Sequence, residues 1–355
     1  MKEITLTPGT TGSVSLKEVP EPIPNPRQLL LRVLKVGICG TDMDIVNGFY
    51  GEAPVGSSYL ILGHESLSRV EAIGPDCQGF EKGDLVVPTV RRGCQENCLN
   101  CRSGESDMCL TGHYKEHGIK GLHGFASELT LSDSSFVVKL PESLSEVGVL
   151  LEPLTIVEKG VEQAFRIQNA RMNWKPSTAL VLGSGPVGLL ATALLRQMGL
   201  AVTTVARKPA DTPKAKLASS TGATYVNVQN TPLSSMEDKF DLVFEATGST
   251  SVALEAQNLC GTNGVVSFVG IYKSQAGTED AGKVFTNLGL GNRVYFGSVN
   301  ANISYFRKGA SDLVKISEKW DGFLEGILTD KIPLAKAESA YGPKGEDDVK
   351  TILEM

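Results

Sequence analysis

The sequence predicts a two-part α/β protein: a doubly wound parallel sheet joined to a region of short strands. Three observations carry that prediction. From Ser177 onward, short apolar runs alternate with stretches of helical periodicity. The first run, Thr178–Leu182, enters the turn Gly183-Ser-Gly185-Pro-Val-Gly188, which opens a helix. Residues 1–140 instead read as strands broken by Pro and Gly. A chain of 355 residues suits two domains and can bury a core without disulfide staples.

In order, Gln28–Val36, Ser66–Ile73, Leu85–Val90 and Phe136–Leu140 are expected as strands, after the Pro-rich connector at 20–26. Two helices are expected over Ser145–Leu154 and Val157–Gln168, where apolar residues take up helical spacing. The alternating half should then give six strands, at 178–182, 201–206, 224–228, 241–245, 265–269 and 293–299. Helices are expected to about Met198, over Lys214–Thr221 and Ser251–Cys260, and near Ala310–Leu328, with a last strand at Lys350–Leu353. The stretch EGILTDKIPL reads as a helix end followed by a surface loop.

Composition narrows the function. A formal charge of −6, with both signs dispersed, offers no footprint for nucleic acid or an anionic membrane. MKEITLTPGTTG lacks the apolar stretch of a signal peptide, and no window nears the roughly 20 apolar residues of a membrane span. A cytoplasmic protein is expected. Seven cysteines without such a signal argue against a disulfide framework.

Four of these cysteines form Cys94-x3-Cys98-x2-Cys101-x7-Cys109. Four thiolates close a tetrahedral shell around zinc at about 2.3 Å each and order a polar segment that has no core of its own. The first gap is one residue longer than usual, and neither common ferredoxin spacing fits. Cys39 follows a strand-like run, and His64-Glu65 follows another. One Cys, one His and one carboxylate are the ligand types of an open catalytic zinc site, although a packed thiol and a hydrogen-bonded histidine explain the same residues. Cys77 and Cys260 read as ordinary buried thiols, and Trp174 and Trp320 as packing residues. His113, His117 and His123 are expected to border a cleft or solvent rather than to bind metal.

The glycine turn follows a strand and opens a helix, the context of a dinucleotide site. Gly183 permits the turn, Gly185 admits the pyrophosphate and Gly188 lets helix pack on strand. Pro186 and Val187 start a helix whose free N–H groups favour phosphate. No acid stands at Ala206-Arg207-Lys208 to take a ribose 2′-hydroxyl. Arg207 and Lys208 suit a 2′-phosphate instead, predicting NADP, with use of NAD left open.

Cys39-Gly-Thr-Asp, Gly63-His64-Glu65, the four-cysteine lobe and GSGPVG occur in one order that resembles the zinc-dependent medium-chain dehydrogenase/reductases. Pro88–Cys94, Glu116–Ile119, Gly124-Phe125, Leu151–Leu154 and Gly297–Asn300 are most similar to the archaeal-type glucose (aldose 1-) dehydrogenase branch. The resemblance implies a partly β-barrel, GroES-like catalytic domain over 1–176, with a structural-zinc lobe at about 93–110. A Rossmann domain follows over 177–300, and 301–355 completes the first domain. It implies catalytic zinc on Cys39, His64, Glu65 and Glu152, structural zinc on the four-cysteine lobe, and a homodimer or homotetramer.

Hydride would pass from the C1 carbon of a glucose-like sugar to NADP, giving a lactone, with Thr41 accepting a hydrogen bond from the C1 hydroxyl and passing the proton towards solvent, and Glu152 as ligand or proton carrier. Glu116 and Asn300 fall at sugar contacts, Thr247 and Asn300 near the cofactor, and Lys350 where a basic residue reaches its phosphates. Val90 and Ile156 stand where polar sugar contacts are expected in the branch. A less hydroxylated substrate, a polyol or simple alcohol, therefore stays open beside glucose, as does the less favoured reading of a non-catalytic dinucleotide-binding protein.

Overall fold

Six parallel strands form the centre of the alternating half in the computed structural model, which describes residues 1–272, 281–342, 345 and 347–355. Their order across the sheet is 224–227, 201–206, 178–182, 240–245, 260–268 and 294–297. The first strand in sequence, Thr178–Leu182, lies between neighbours reached in opposite directions, which is the switch point where open α/β sheets bind ligands. Leu180, Leu182, Val243 and Val266 are fully buried or nearly so, as expected of strands covered on both faces.

The chain divides into two compact units, Met1–Glu152 with Asn300–Val314 and Leu328–Met355, and Pro153–Val299 with Lys315–Ile327. The boundary expected at 176/177 therefore lies within the second unit. The two helices expected before it are one, Leu151–Asn169, preceded by short 3-10 turns. Pro153 does not break this helix, because first-turn N–H groups have no intrahelical partner to lose. The helix packs on the parallel sheet: a Cβ at Gly160 would meet Phe244 at 2.9 Å, and Gln168 Nε2 donates to the Asn263 carbonyl at 2.6 Å. The single helix expected near 310–328 is two, Ile303–Lys319 and Phe323–Ile327, parted at Gly322, whose φ is +71°. The helix Ala281–Leu290 had no counterpart in the sequence reading.

The first unit is built on a seven-stranded sheet. Its order is 137–139, 85–88, 65–73, 28–38, 350–354 and 328–333, with 129–133 also paired to 28–38. Leu328–Pro333, expected as loop, is an edge strand running parallel to Lys350–Glu354. Its charged residues, Asp330 and Lys331, are consecutive and fall on opposite faces, which hid its period of two, and a charged edge resists pairing with other chains. Among the described residues no helix is long and apolar enough to cross a membrane.

Candidate active site and nucleotide cleft

Strand register brings the first cluster together. Gln28–Ile38 runs antiparallel to Glu65–Ile73 with Gly37 opposite Glu65, so the residue after one strand meets the residue before the other. Cys39 Sγ lies 3.1 Å from His64 Nε2. Ligand atoms of Cys39, His64 and Glu65 all fall within 4.8 Å of one another. Cys39 also caps the helix Gly40–Val46: its Sγ accepts from Thr41 N at 3.2 Å, and its own N–H donates to Asp42 Oδ2 at 2.9 Å. Asp42 Oδ1 lies 3.4 Å from His64 Nδ1, behind the face turned to Cys39.

Burial alone would push the His64 imidazole down, but the Cys39 thiol and Asp42 carboxylate hold it well above its usual value. The surroundings of His64 thus favour positive charge, and the mixed donor set of Cys39, His64 and Glu65 fits a divalent cation. Glu152, second residue of its helix, is outside the three-donor group but feels it. Burial, with Glu65 and Asp42, pushes its carboxyl up to about 7, against the pull of His64 and Lys350. Thr41 is joined through its side chain to the hydroxyl of Tyr50, a residue the sequence reading missed.

Lys350 finds its partner within its own unit. Thr351 pairs with Ile38, which sets Lys350 beside the cluster, fully buried, with its Nζ 2.5 Å from both Glu65 oxygens. Gly37 makes room for this pair, since a Cβ there would lie within 2.0 Å of Glu65 Oε2.

The second cluster is local. The sulfurs of Cys94, Cys98, Cys101 and Cys109 also lie within 4.8 Å of one another, and backbone N–H groups of Cys94, Cys98 and Leu110 point at them from 3.4–3.5 Å. The extra residue in the first gap is absorbed by Asn97 at φ +49°, a left-handed conformation that asparagine tolerates. Desolvation pushes the Cys101 thiol up to about 12, while Thr111, the Cys101 thiol and the Gly112 backbone outweigh burial and bring Cys109 down to about 6. All-sulfur donors converging with amide support fit a closed zinc shell.

Glu116 and Asn300 are brought together, Asn300 Nδ2 donating to Glu116 Oε1 at 3.0 Å. The three histidines sit apart. His113 is exposed and bonds Glu96 at 2.7 Å; His117 is half-buried and stacked on Phe125, with its pKa pushed down to about 3 by desolvation and Arg92; His123 accepts from Ile61 N at 3.2 Å. Trp174 is buried edge-on to Phe165 and Cys260 is fully buried, whereas Trp320 lies beside Lys319 and Cys77 is only half-buried. Val90 is buried, and Ile156 belongs to the second unit.

In that unit a cleft of about 920 Å³ opens at the ends of the strands. Gly183 has φ +111°, and a Cβ on Gly188 would lie 2.0 Å from the Gly183 carbonyl, so each has its own reason to be glycine. A Cβ on Gly185 would meet nothing within 4 Å, leaving that approach open. Pro186 and Val187 begin the helix Pro186–Gln197. Arg207, Lys208 and Thr247 line the cleft, as does Lys214, which the sequence reading passed over.

The profile of the alcohol dehydrogenase GroES-like domain matches residues 25–142, and that of the glucose dehydrogenase C-terminus matches residues 145–355. The chain belongs to the glucose dehydrogenase family of zinc-dependent medium-chain dehydrogenases. It is 44% identical over 355 residues to glucose 1-dehydrogenase 2 of Vulcanisaeta moutnovskia, and 43% identical to glucose 1-dehydrogenase of Thermoproteus tenax. In both cases all of this chain and 99% of the relative are covered. The structure of Haloferax mediterranei glucose dehydrogenase in complex with NADP, zinc and gluconolactone matches with a TM-score of 0.91 at 33% identity, covering 100% of this chain and 99% of that one.

Proposed function

We propose that this family member oxidises the C1 hydroxyl of a glucose-like aldose to a lactone with NADP as hydride acceptor. The carrying observation is the mixed donor set of Cys39, His64 and Glu65 in a chain similar throughout to glucose 1-dehydrogenases. These residues, with Glu152 as a fourth, would hold a zinc ion, and the four-cysteine lobe a second. Zinc at the first cluster supplies Lewis-acid polarisation of a hydroxyl oxygen.

The chain's own residues do the rest. Asp42 orients His64 through Nδ1, leaving Nε2 for the donor set. Thr41 accepts a hydrogen bond from the substrate hydroxyl and passes its own proton on towards solvent, with the Tyr50 oxygen as its hydrogen-bond acceptor. Glu152, whose carboxyl is pushed up to about 7 in the absence of a cation, can take up or release a proton near neutral pH, and as a carboxylate it can ligate. Lys350 holds Glu65. Glu116 and Asn300 present an acceptor and a donor to sugar hydroxyls. The unit containing these residues is the catalytic one, and the parallel-sheet unit holds the dinucleotide. There the glycine turn receives the pyrophosphate, Arg207 and Lys208 take the 2′-phosphate, and Thr247 borders the cofactor. A cytoplasmic homodimer or homotetramer acting in carbohydrate metabolism fits seven unpaired thiols and the family.

A screen of aldoses, polyols and simple alcohols with NADP and NAD, with and without chelator, tests this by the absorbance of reduced cofactor. Chelator-sensitive aldose oxidation favouring NADP is expected. Turnover confined to polyols or alcohols would discard the sugar assignment, and the apolar, buried Val90 makes that the competing outcome.

A further inference from the structure

Glu116 is held by one oxygen only. Its Oε1 takes Arg91 Nε at 3.0 Å, Arg91 Nη2 at 2.9 Å and Asn300 Nδ2 at 3.0 Å. Among the described residues no donor reaches Oε2, and 10% of the side chain stays accessible. Arg91 is itself enclosed. Its guanidinium lies 3.6 Å from the centre of the Tyr114 ring, and its Nη1 donates to the Asp107 carbonyl at 3.1 Å. Asp107 sits between Cys101 and Cys109, in the 3-10 turn Ser106–Met108. Its carboxylate accepts from Asn302 Nδ2 at 2.9 Å, two residues beyond Asn300. The contacts close a ring: cysteine loop, Arg91, Glu116, Asn300, Asn302, and back to the cysteine loop.

We infer that Arg91 is a positioning residue for substrate hydroxyl recognition, and that the cysteine loop, through Asp107, forms part of the machinery that sets substrate affinity. The planar fork is what the geometry uses, with two N–H groups on one carboxylate oxygen and a third on a carbonyl facing another way; a lysine ammonium cannot match that arrangement. With Oε1 saturated and its charge balanced, Glu116 keeps Oε2 as an acceptor for one donor, a substrate hydroxyl. Linkage makes the effect reciprocal: whatever binds at Oε2 favours the ordered cysteine loop, and the ordered loop favours binding.

The identity of the ligand as a sugar rests on the proposed function, so the test has two arms. In the first, Arg91→Lys raises KM for the aldose by about tenfold or more, the loss of a charge-assisted hydrogen bond, and the change falls on KM rather than on kcat or on KM for NADP. In the second, without substrate, Arg91→Lys and the milder Asn302→Ala both speed alkylation of Cys94, Cys98, Cys101 and Cys109, followed residue by residue by mass spectrometry. An unchanged aldose KM, or loop thiols as protected as in the parent protein, overturns the inference. Absence of aldose oxidation in the parent protein would defeat only the sugar reading, because the thiol arm still decides whether Arg91 ties the loop to Glu116.

Discussion

Two clusters of metal-ligating side chains, each with its donor atoms within 4.8 Å of one another, are made in opposite ways. The four cysteines come from 16 consecutive residues, offer one donor type, and have little beneath them except backbone amides. Cys39, His64 and Glu65 come from the ends of different strands, offer three donor types, and are backed by buried charge in Asp42 and Lys350. A cluster closed by identical soft donors contributes order; one with mixed donors and a charged surround can also engage a substrate. The difference lies in what surrounds the donors more than in the donors themselves.

Removing one sulfur from each cluster should separate the roles. Cys39→Ala is expected to lower kcat/KM by about a thousandfold or more, since Lewis-acid stabilisation is worth several kcal/mol, with the thermal midpoint nearly unchanged. Cys101→Ser should do the reverse: a stability loss of upwards of about 3 kcal/mol in denaturant titration, while molecules that remain folded keep most of their turnover rate. Equal effects of both variants on rate and midpoint would erase the distinction. A smaller change sharpens it within the buried cluster. Gly37→Ala inserts a Cβ against the Glu65–Lys350 pair and should cost about 1–3 kcal/mol of overpacking, read as a shifted unfolding midpoint; full parental stability would mean that the pair does not need that space.

What the sequence disclosed follows the same division. The cysteine lobe and the glycine turn were legible because their geometry is local: spacing sets the sulfurs, and a strand–turn–helix context sets the turn. The meeting of Cys39 with His64 depends on strand register, which no short window contains, so residue types alone left it beside duller explanations until the family resemblance was added. Lys350 shows what register adds to that resemblance: with Thr351 paired to Ile38, its ammonium meets Glu65, a contact that no short window contains. Leu328–Pro333 resembles a loop because it is an edge strand carrying charge, and the start of the helix Leu151–Asn169 is hidden because helical spacing of apolar residues extends back to Ser145, through a 3-10 turn. Arg91 stood in plain view, but its partners Asp107, Glu116 and Asn300 are joined to it only by the fold.

The strand Lys350–Glu354 lies in the interior of the first unit's sheet, between Leu328–Pro333 and Gln28–Ile38. Synthesis on the ribosome runs from the N-terminus, so Gln28–Ile38 emerges long before this neighbour exists. The whole parallel-sheet unit is made in the interval. The unit that begins first is therefore the later to be completed: residues 28–32 of its central strand can pair early with 129–133, but one side of Lys35–Ile38 must wait, unpaired or shielded, while the other unit gains all its strands. Closing that sheet is a late, long-range event, the kind of contact that slows folding and leaves an edge open to aggregation until it forms.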